Sequence, residues 1–140
     1  MIKYWADKWI SALRSGEFAQ STGRLYRSEE SSVCSDPACE TCKMTPAGYC
    51  CLGVLTEVVR REMPAVGEWS EDRFSTPDDK WGYSDFTPLV IQRITDMGNS
   101  DPGLYKDEHG DAVTCSSAND TYGKTFAEIA DYVEANYKDM

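Results

Sequence analysis

The chain predicts an α+β fold: a compact single domain with three main helices, a small antiparallel sheet and a cysteine-rich inserted loop. Three observations carry this. Apolar residues recur at helical spacing in three stretches, one of them at each end of the chain. A further stretch reads as two short strands around a glycine-containing loop. Five of the six cysteines crowd between Cys34 and Cys51, in and around a polar region that follows neither period. A single core is affordable, because a chain of 140 residues buries about two thirds of the surface its unfolded form exposes.

Residues 2–15 put Ile2, Trp5, Trp9, Ile10 and Leu13 on one face, with Gly16 following as a stop. Trp5 and Trp9, four apart, read first as a packing stripe. Residues 17–33 are polar, and only a short strand around Arg24 to Arg27 is expected there. After Cys51, the run Leu52, Val54, Leu55, Val58, Val59 and Met63 marks a buried helix. It ends before Pro64, whose ring clashes with a continuing helix. Residues 64–86 mix Pro, Gly, Asp and Ser with Trp69, Phe74, Trp81, Tyr83 and Phe86, which predicts an irregular segment pinned by its aromatics. Thr87 and Pro88 read as the N-cap and first residue of a short helix running to Gly98. Residues 104–106 and 112–115 are expected to pair around a loop at 107–111, with Cys115 packed in the sheet. The last helix is the clearest: Thr125 and Glu128 have capping-box spacing, and Phe126, Ile129, Ala130, Val133 and Tyr137 form the apolar face behind them.

The net charge is −10, which opposes phosphate backbones and anionic lipid surfaces, so direct nucleic-acid binding and membrane binding are not expected. An acidic surface suits a basic protein patch or simply keeps the chain soluble. No apolar run approaches the roughly 20 residues of a membrane span, and the N-terminus lacks the pattern of a secretory signal. A cytoplasmic location is therefore expected, where thiols stay reduced or bind metal.

The cysteines Cys34, Cys39, Cys42, Cys50 and Cys51 are spaced C-x4-C-x2-C-x7-C-C. Cys39 and Cys42 have the separation of two zinc ligands in one turn, with Cys34 and Cys50 as the third and fourth. A structural zinc site is the leading reading, beside reduced core thiols and disulfides. Adjacent residues point in different directions, so at most one of Cys50 and Cys51 reaches a metal easily. A catalytic thiol needs a base, and the sole histidine, His109, falls at a loop tip beside Glu108 and Asp111. The acidic pairs Glu71 with Asp72 and Asp78 with Asp79 read as turn-capping groups, as does Asn119 with Asp120. With no phosphate loop, His-rich metal motif or nucleophile elbow in the sequence, an enzyme is not expected.

Three segments carry a resemblance: KWISALRSGEFAQSTGRL at 8–25, GYCCLGVL at 48–55 and NDTYGKTFAEIADYVE at 119–134. In this order they are similar to a group of small proteins of tailed phages and prophages whose function is largely unassigned. Members of that group reach the Cys-Cys pair in fewer residues and without equivalents of Cys34, Cys39 and Cys42. The resemblance thus implies that Cys50 and Cys51 are scaffold thiols and that residues 28–49 are an insertion with its own stabilisation. It supplies no reaction, cofactor or catalytic residue.

Small size, acidity and abundant aromatics fit a binder better than a catalyst. The leading expectation is a non-enzymatic phage accessory protein in the cytoplasm of the infected host cell. It would bind a host component in counter-defence, either a host protein or a small nucleotide-like signal. A ligand pocket would draw on Trp5, Trp9, Trp69, Trp81 or Tyr83 with Arg24 or Arg27, since stacking plus a guanidinium recognises nucleotides. The alternatives are a virion or assembly component and a metal-dependent enzyme.

Overall fold

The computed structural model describes residues 1–28, 31–32 and 44–140. The first helix, α1 (Lys3–Arg14), buries Trp5, Ala6, Trp9, Ile10 and Leu13 along one stripe. Its start is tied down by backbone instead of a side-chain cap, with the Ile2 amide donating to the Thr95 carbonyl at 2.8 Å. The stripe meets two other helices, α2 (Cys51–Glu62) and α5 (Phe126–Asn136). Trp9 has no exposed surface, and its indole N–H donates to the Cys51 carbonyl at 2.9 Å at the start of α2. Burying so large a side chain with its one donor satisfied is what makes the α1–α2 crossing specific.

Between α1 and α2 the chain forms β1 (Tyr26–Arg27), β2 (Ser31–Ser32), β3 (Met44–Thr45) and β4 (Gly48–Tyr49). β1 pairs with β4 and β2 with β3, both antiparallel, so the chain leaves toward the cysteine-rich region and returns along itself. Cys34, Cys39 and Cys42 lie outside the described residues. The short strand expected around Arg24 to Arg27 is realised as β1.

After α2, a 3-10 turn at Pro64–Val66 leads into β5 (Glu68–Ser70), β6 (Arg73–Thr76) and β7 (Asp79–Tyr83), an antiparallel meander with β6 central. This corrects the irregular segment expected at 64–86. The turns here occupy two residues each, at Glu71 and Asp72 and at Pro77 and Asp78, and Glu71 takes the left-handed conformation such a turn needs (φ 54°). Strands of three to five residues leave too little alternation to stand out among turn formers.

α3 (Leu89–Thr95) follows, but the expected Thr87 N-cap does not form. Pro88 holds the cap position, and the Thr87 hydroxyl is buried without a hydrogen-bond partner. The hairpin appears as β8 (Gly103–Lys106) and β9 (Ala112–Thr114). Cys115 is not in that sheet: it is the first residue of a short helix, α4 (Cys115–Asp120), capped by the Thr114 side chain. Asp101 adds a second cap, accepting from the Ser116 amide at 2.9 Å. α5 carries the expected capping box, in which the Glu128 amide donates to the Thr125 hydroxyl and the Thr125 amide to the Glu128 carboxylate. Among the described residues the three long helices are thus α1, α2 and α5, and the α+β class holds.

Candidate binding surface

The meander divides its side chains between two faces. Trp69 and Phe74 are paired across β5 and β6 with ring centroids 5.0 Å apart, and Trp69 packs onto Tyr26 and Tyr49. The Trp69 indole donates to Glu57 at 2.8 Å. Burial pushes the Tyr49 phenol up to about 12, with the Glu57 charge adding to it. On the outer face Glu68, Ser75, Pro77 and Lys80 line a shallow groove of about 480 Å³ together with Pro64 and Gly67.

At the end of this sheet the ladder is broken. From Thr76 back to Phe74 strand β6 advances two residues, while β7 advances four, from Asp79 to Tyr83. Such a bulge re-aims the side chain it carries, and here that residue is Trp81. Its backbone is fixed on both sides: the Trp81 amide donates to Asp79 Oδ1 at 3.0 Å, and Arg73 donates to the Trp81 carbonyl at 3.1 Å. Gly82 supplies the left-handed residue the bulge requires (φ 77°). The indole itself is 87% exposed, a large apolar group held out in water.

Of the residues picked out by sequence for a pocket, the structure brings only some together. Trp5 and Trp9 are core residues of α1. Trp69 and Tyr83 pack partly buried against the core. Arg24 forms an ion pair with Asp72 at 3.1 Å, and Arg27 donates to the Thr22 carbonyl at 2.8 Å. Trp81 is the one aromatic residue of this set that is open, and Arg24 is exposed as well. Asp79 accepts locally from the Trp81 amide, Asp72 reaches from its turn to the Ser28 amide, and Asn119 is buried in α4.

Cys50 is also placed. It is the N-cap of α2, and its buried sulfur accepts from the Gly53 amide at 3.4 Å. Cys51 donates to the Cys115 carbonyl at 3.3 Å. Burial pushes the thiols of Cys50 and Cys51 well above their ordinary value, which disfavours the thiolate needed by a nucleophile. His109 is exposed at the β8–β9 loop, where its amide bonds Asp107 and its ring lies 3.5 Å from Glu108. Among the described residues no three His, Cys, Asp or Glu side chains gather as a metal site, and no helix is long and apolar enough to cross a membrane.

A second concave region escaped the sequence reading. Tyr105 of β8, Tyr122 and Lys124 of the α4–α5 connection and Tyr132 of α5 line a cleft of about 520 Å³ with Lys106, Asp107, Glu108 and His109. The three tyrosines come together only because α5 packs on β8, so no spacing in the chain announces them. No protein-family model, curated protein or solved structure matches this chain.

Proposed function

We propose that this is a phage accessory protein that acts by binding a protein of the infected host cell, with Trp81 as the anchor of the contact. The observation that carries the reading is the 87% exposure of an indole whose backbone is fixed in a bulge. Tryptophan dominates the energetics of protein interfaces, and pre-ordering the segment that presents it reduces the entropy lost on binding. The net charge of −10 favours a partner with a basic contact face through electrostatic steering. The resemblance to phage proteins supplies the cellular setting, the cytoplasm of an infected bacterium, and counter-defence is the role we assign to the contact.

The test is affinity capture from host lysate with the wild-type chain and Trp81→Ala side by side. A host protein retained by the wild type should bind the variant about thirtyfold or more weakly, the loss of one hot-spot side chain. A partner held equally by both overturns the anchor assignment. Mass spectrometry of purified virions separates the assembly reading, because an intracellular effector is absent from particles.

A further inference from the structure

We propose that the cleft between the β8–β9 hairpin and α5 binds a small aromatic phosphate of the nucleoside monophosphate class. The base would stack on Tyr122, and the phosphate would be met by Lys106, Lys124 and the hydroxyls of Tyr105 and Tyr132. This site is separate from Trp81 and does not depend on the protein-binding reading.

The first support is a set of unengaged donors. Tyr105 and Tyr132 are stacked with ring centroids 4.3 Å apart and an interplanar angle of 20°, which fixes both rings. Neither hydroxyl hydrogen-bonds to protein among the described residues. Burial pushes the Tyr105 phenol up, against the pull of Lys124, so it remains a donor.

The second support is charge. In this acidic chain Lys3, Lys8, Arg14, Arg60 and Arg61 are each held by a carboxylate at 2.6 to 2.7 Å. Lys106 has no ion pair among the described residues, and Lys124 stands 3.8 Å from Glu128. Asp107 also lines the cleft, its Oδ1 taking the amides of His109 and Asp111 at 2.9 and 3.0 Å. Glu108 sits beside His109. Two ammonium groups and two free hydroxyls, beside the carboxylates of Asp107 and Glu108, supply the donors for an oxyanion with several acceptor oxygens.

The third support is the open ring. Tyr122 is 48% exposed, has no aromatic partner among the described residues, and is oriented by its hydroxyl on Asp107 at 3.4 Å. A half-exposed ring held in place is a stacking platform, tolerant of which base it receives. A cleft of about 520 Å³ lies within the size range of small-ligand sites, roughly 300–1,000 Å³.

The experiment is amide NMR titration of the full chain with AMP, GMP, CMP and UMP, and separately with adenosine and with inorganic phosphate. At least one monophosphate should shift the amides of 105–109 and 122–124, with adenosine and phosphate each about tenfold weaker or more. Lys106→Glu and Tyr122→Ala, both at exposed positions, should each weaken that binding about tenfold while the spectrum elsewhere reports an intact fold. Trp81→Ala should leave it unchanged. No binding of any monophosphate, inorganic phosphate binding as tightly as the nucleotides, or binding that survives both cleft variants overturns the proposal.

Discussion

Gln20 and Asn119, ninety-nine residues apart in the chain, meet side chain to side chain, the Gln20 amide donating to Asn119 Oδ1 at 3.0 Å. Gln20 also donates to the Lys124 carbonyl at 2.7 Å and accepts from the Phe126 amide at 3.1 Å, so it braces the start of α5. Asn119 donates to the Ser21 carbonyl at 2.8 Å. Segments 8–25 and 119–134 are thus locked to each other. Segment 48–55 joins them through the Tyr49 amide, which donates to the Ala19 carbonyl at 2.8 Å.

Because Asn119 is 1% exposed, Asn119→Ala leaves the Ser21 carbonyl without its donor and the Gln20 amide with the Lys124 carbonyl alone, and should lower stability by about 2 kcal/mol. Denaturant unfolding of Asn119→Ala, Gln20→Ala and the double variant checks it. Direct coupling predicts a double-variant loss smaller than the sum by about 0.5 kcal/mol or more. Strict additivity would separate the two residues.

Gly53 offers a change of sign. In an exposed helix interior Gly→Ala stabilises by about 1 kcal/mol. Here a Cβ at Gly53 would fall 1.7 Å from the Leu25 carbonyl oxygen, which itself accepts from the Cys50 amide at 3.1 Å. Backbone cannot yield as a side chain can, so Gly53→Ala should destabilise by about 2 kcal/mol or more. Gly98→Ala, with nothing within 4 Å of its Cβ, should stay within about 0.5 kcal/mol of wild type. A stabilised Gly53→Ala in thermal unfolding would show that α2 does not press on that carbonyl.

Two threonines measure how far local sequence can be trusted. Thr125 sits in a formed capping box, so Thr125→Ala should lose about 1 kcal/mol. Thr87 has the same look in sequence, before a proline and an apolar run, but its hydroxyl is buried and unpartnered. Thr87→Val keeps the shape and removes a desolvated polar group, and should be neutral or stabilising. Parallel urea titrations decide, and a loss at Thr87 as large as that at Thr125 would restore the cap.

What was legible in the chain follows from range. α1, α2 and α5 are written in i, i+3, i+4 patterns that need no distant partner, and the Thr125–Glu128 box is local too. α4 was not legible, because CSSAND has poor helix formers and is held by caps from Thr114 and Asp101. Nor was the meander, whose alternation of Glu68, Trp69 and Ser70 lasts three residues before a turn. The aromatic richness of the candidate surface was visible. Which tryptophan faces water was not, because the exposure of Trp81 comes from a ladder mismatch between β6 and β7, whereas Trp69 is drawn inward by Glu57.

The buried thiols give a chemical readout. Cys50, Cys51 and Cys115 are each 3% exposed or less, and burial holds the first two in the protonated form. Iodoacetamide at pH 7.5 followed by peptide mass spectrometry should leave all three unlabelled in the native protein and label them fully in urea. Rapid native labelling of Cys50 would place its sulfur at the surface. Metal analysis of the same sample reports whether the cysteine-rich region carries an ion.

Glu57 couples stability to pH. The carboxylate is 4% exposed and accepts from Arg60 at 2.7 and 2.9 Å, from Arg61 at 2.9 Å and from Trp69 at 2.8 Å. Burial pushes its pKa up, but the hydrogen bonds from Arg60, Trp69 and Arg61 outweigh burial and leave it below the ordinary value. In the unfolded chain a glutamate titrates near about 4.3. The unfolded state therefore takes up a proton first as pH falls, and the stabilisation by Glu57 is complete above that value and lost as pH drops through the folded pKa. At pH 7 Glu57→Gln should be about 3 kcal/mol less stable than wild type, since it leaves two arginines facing a neutral amide in a mostly buried site. The gap should close as pH falls below the unfolded value and through the lowered folded one, where the wild-type carboxyl is neutralised as well. Urea unfolding followed by tryptophan fluorescence reads this directly, because the Trp69 indole rests on the carboxylate. Curves for the two proteins that stay parallel from neutral pH to pH 2 would mean that packing, and not the charge at Glu57, joins α2 to the meander that presents Trp81.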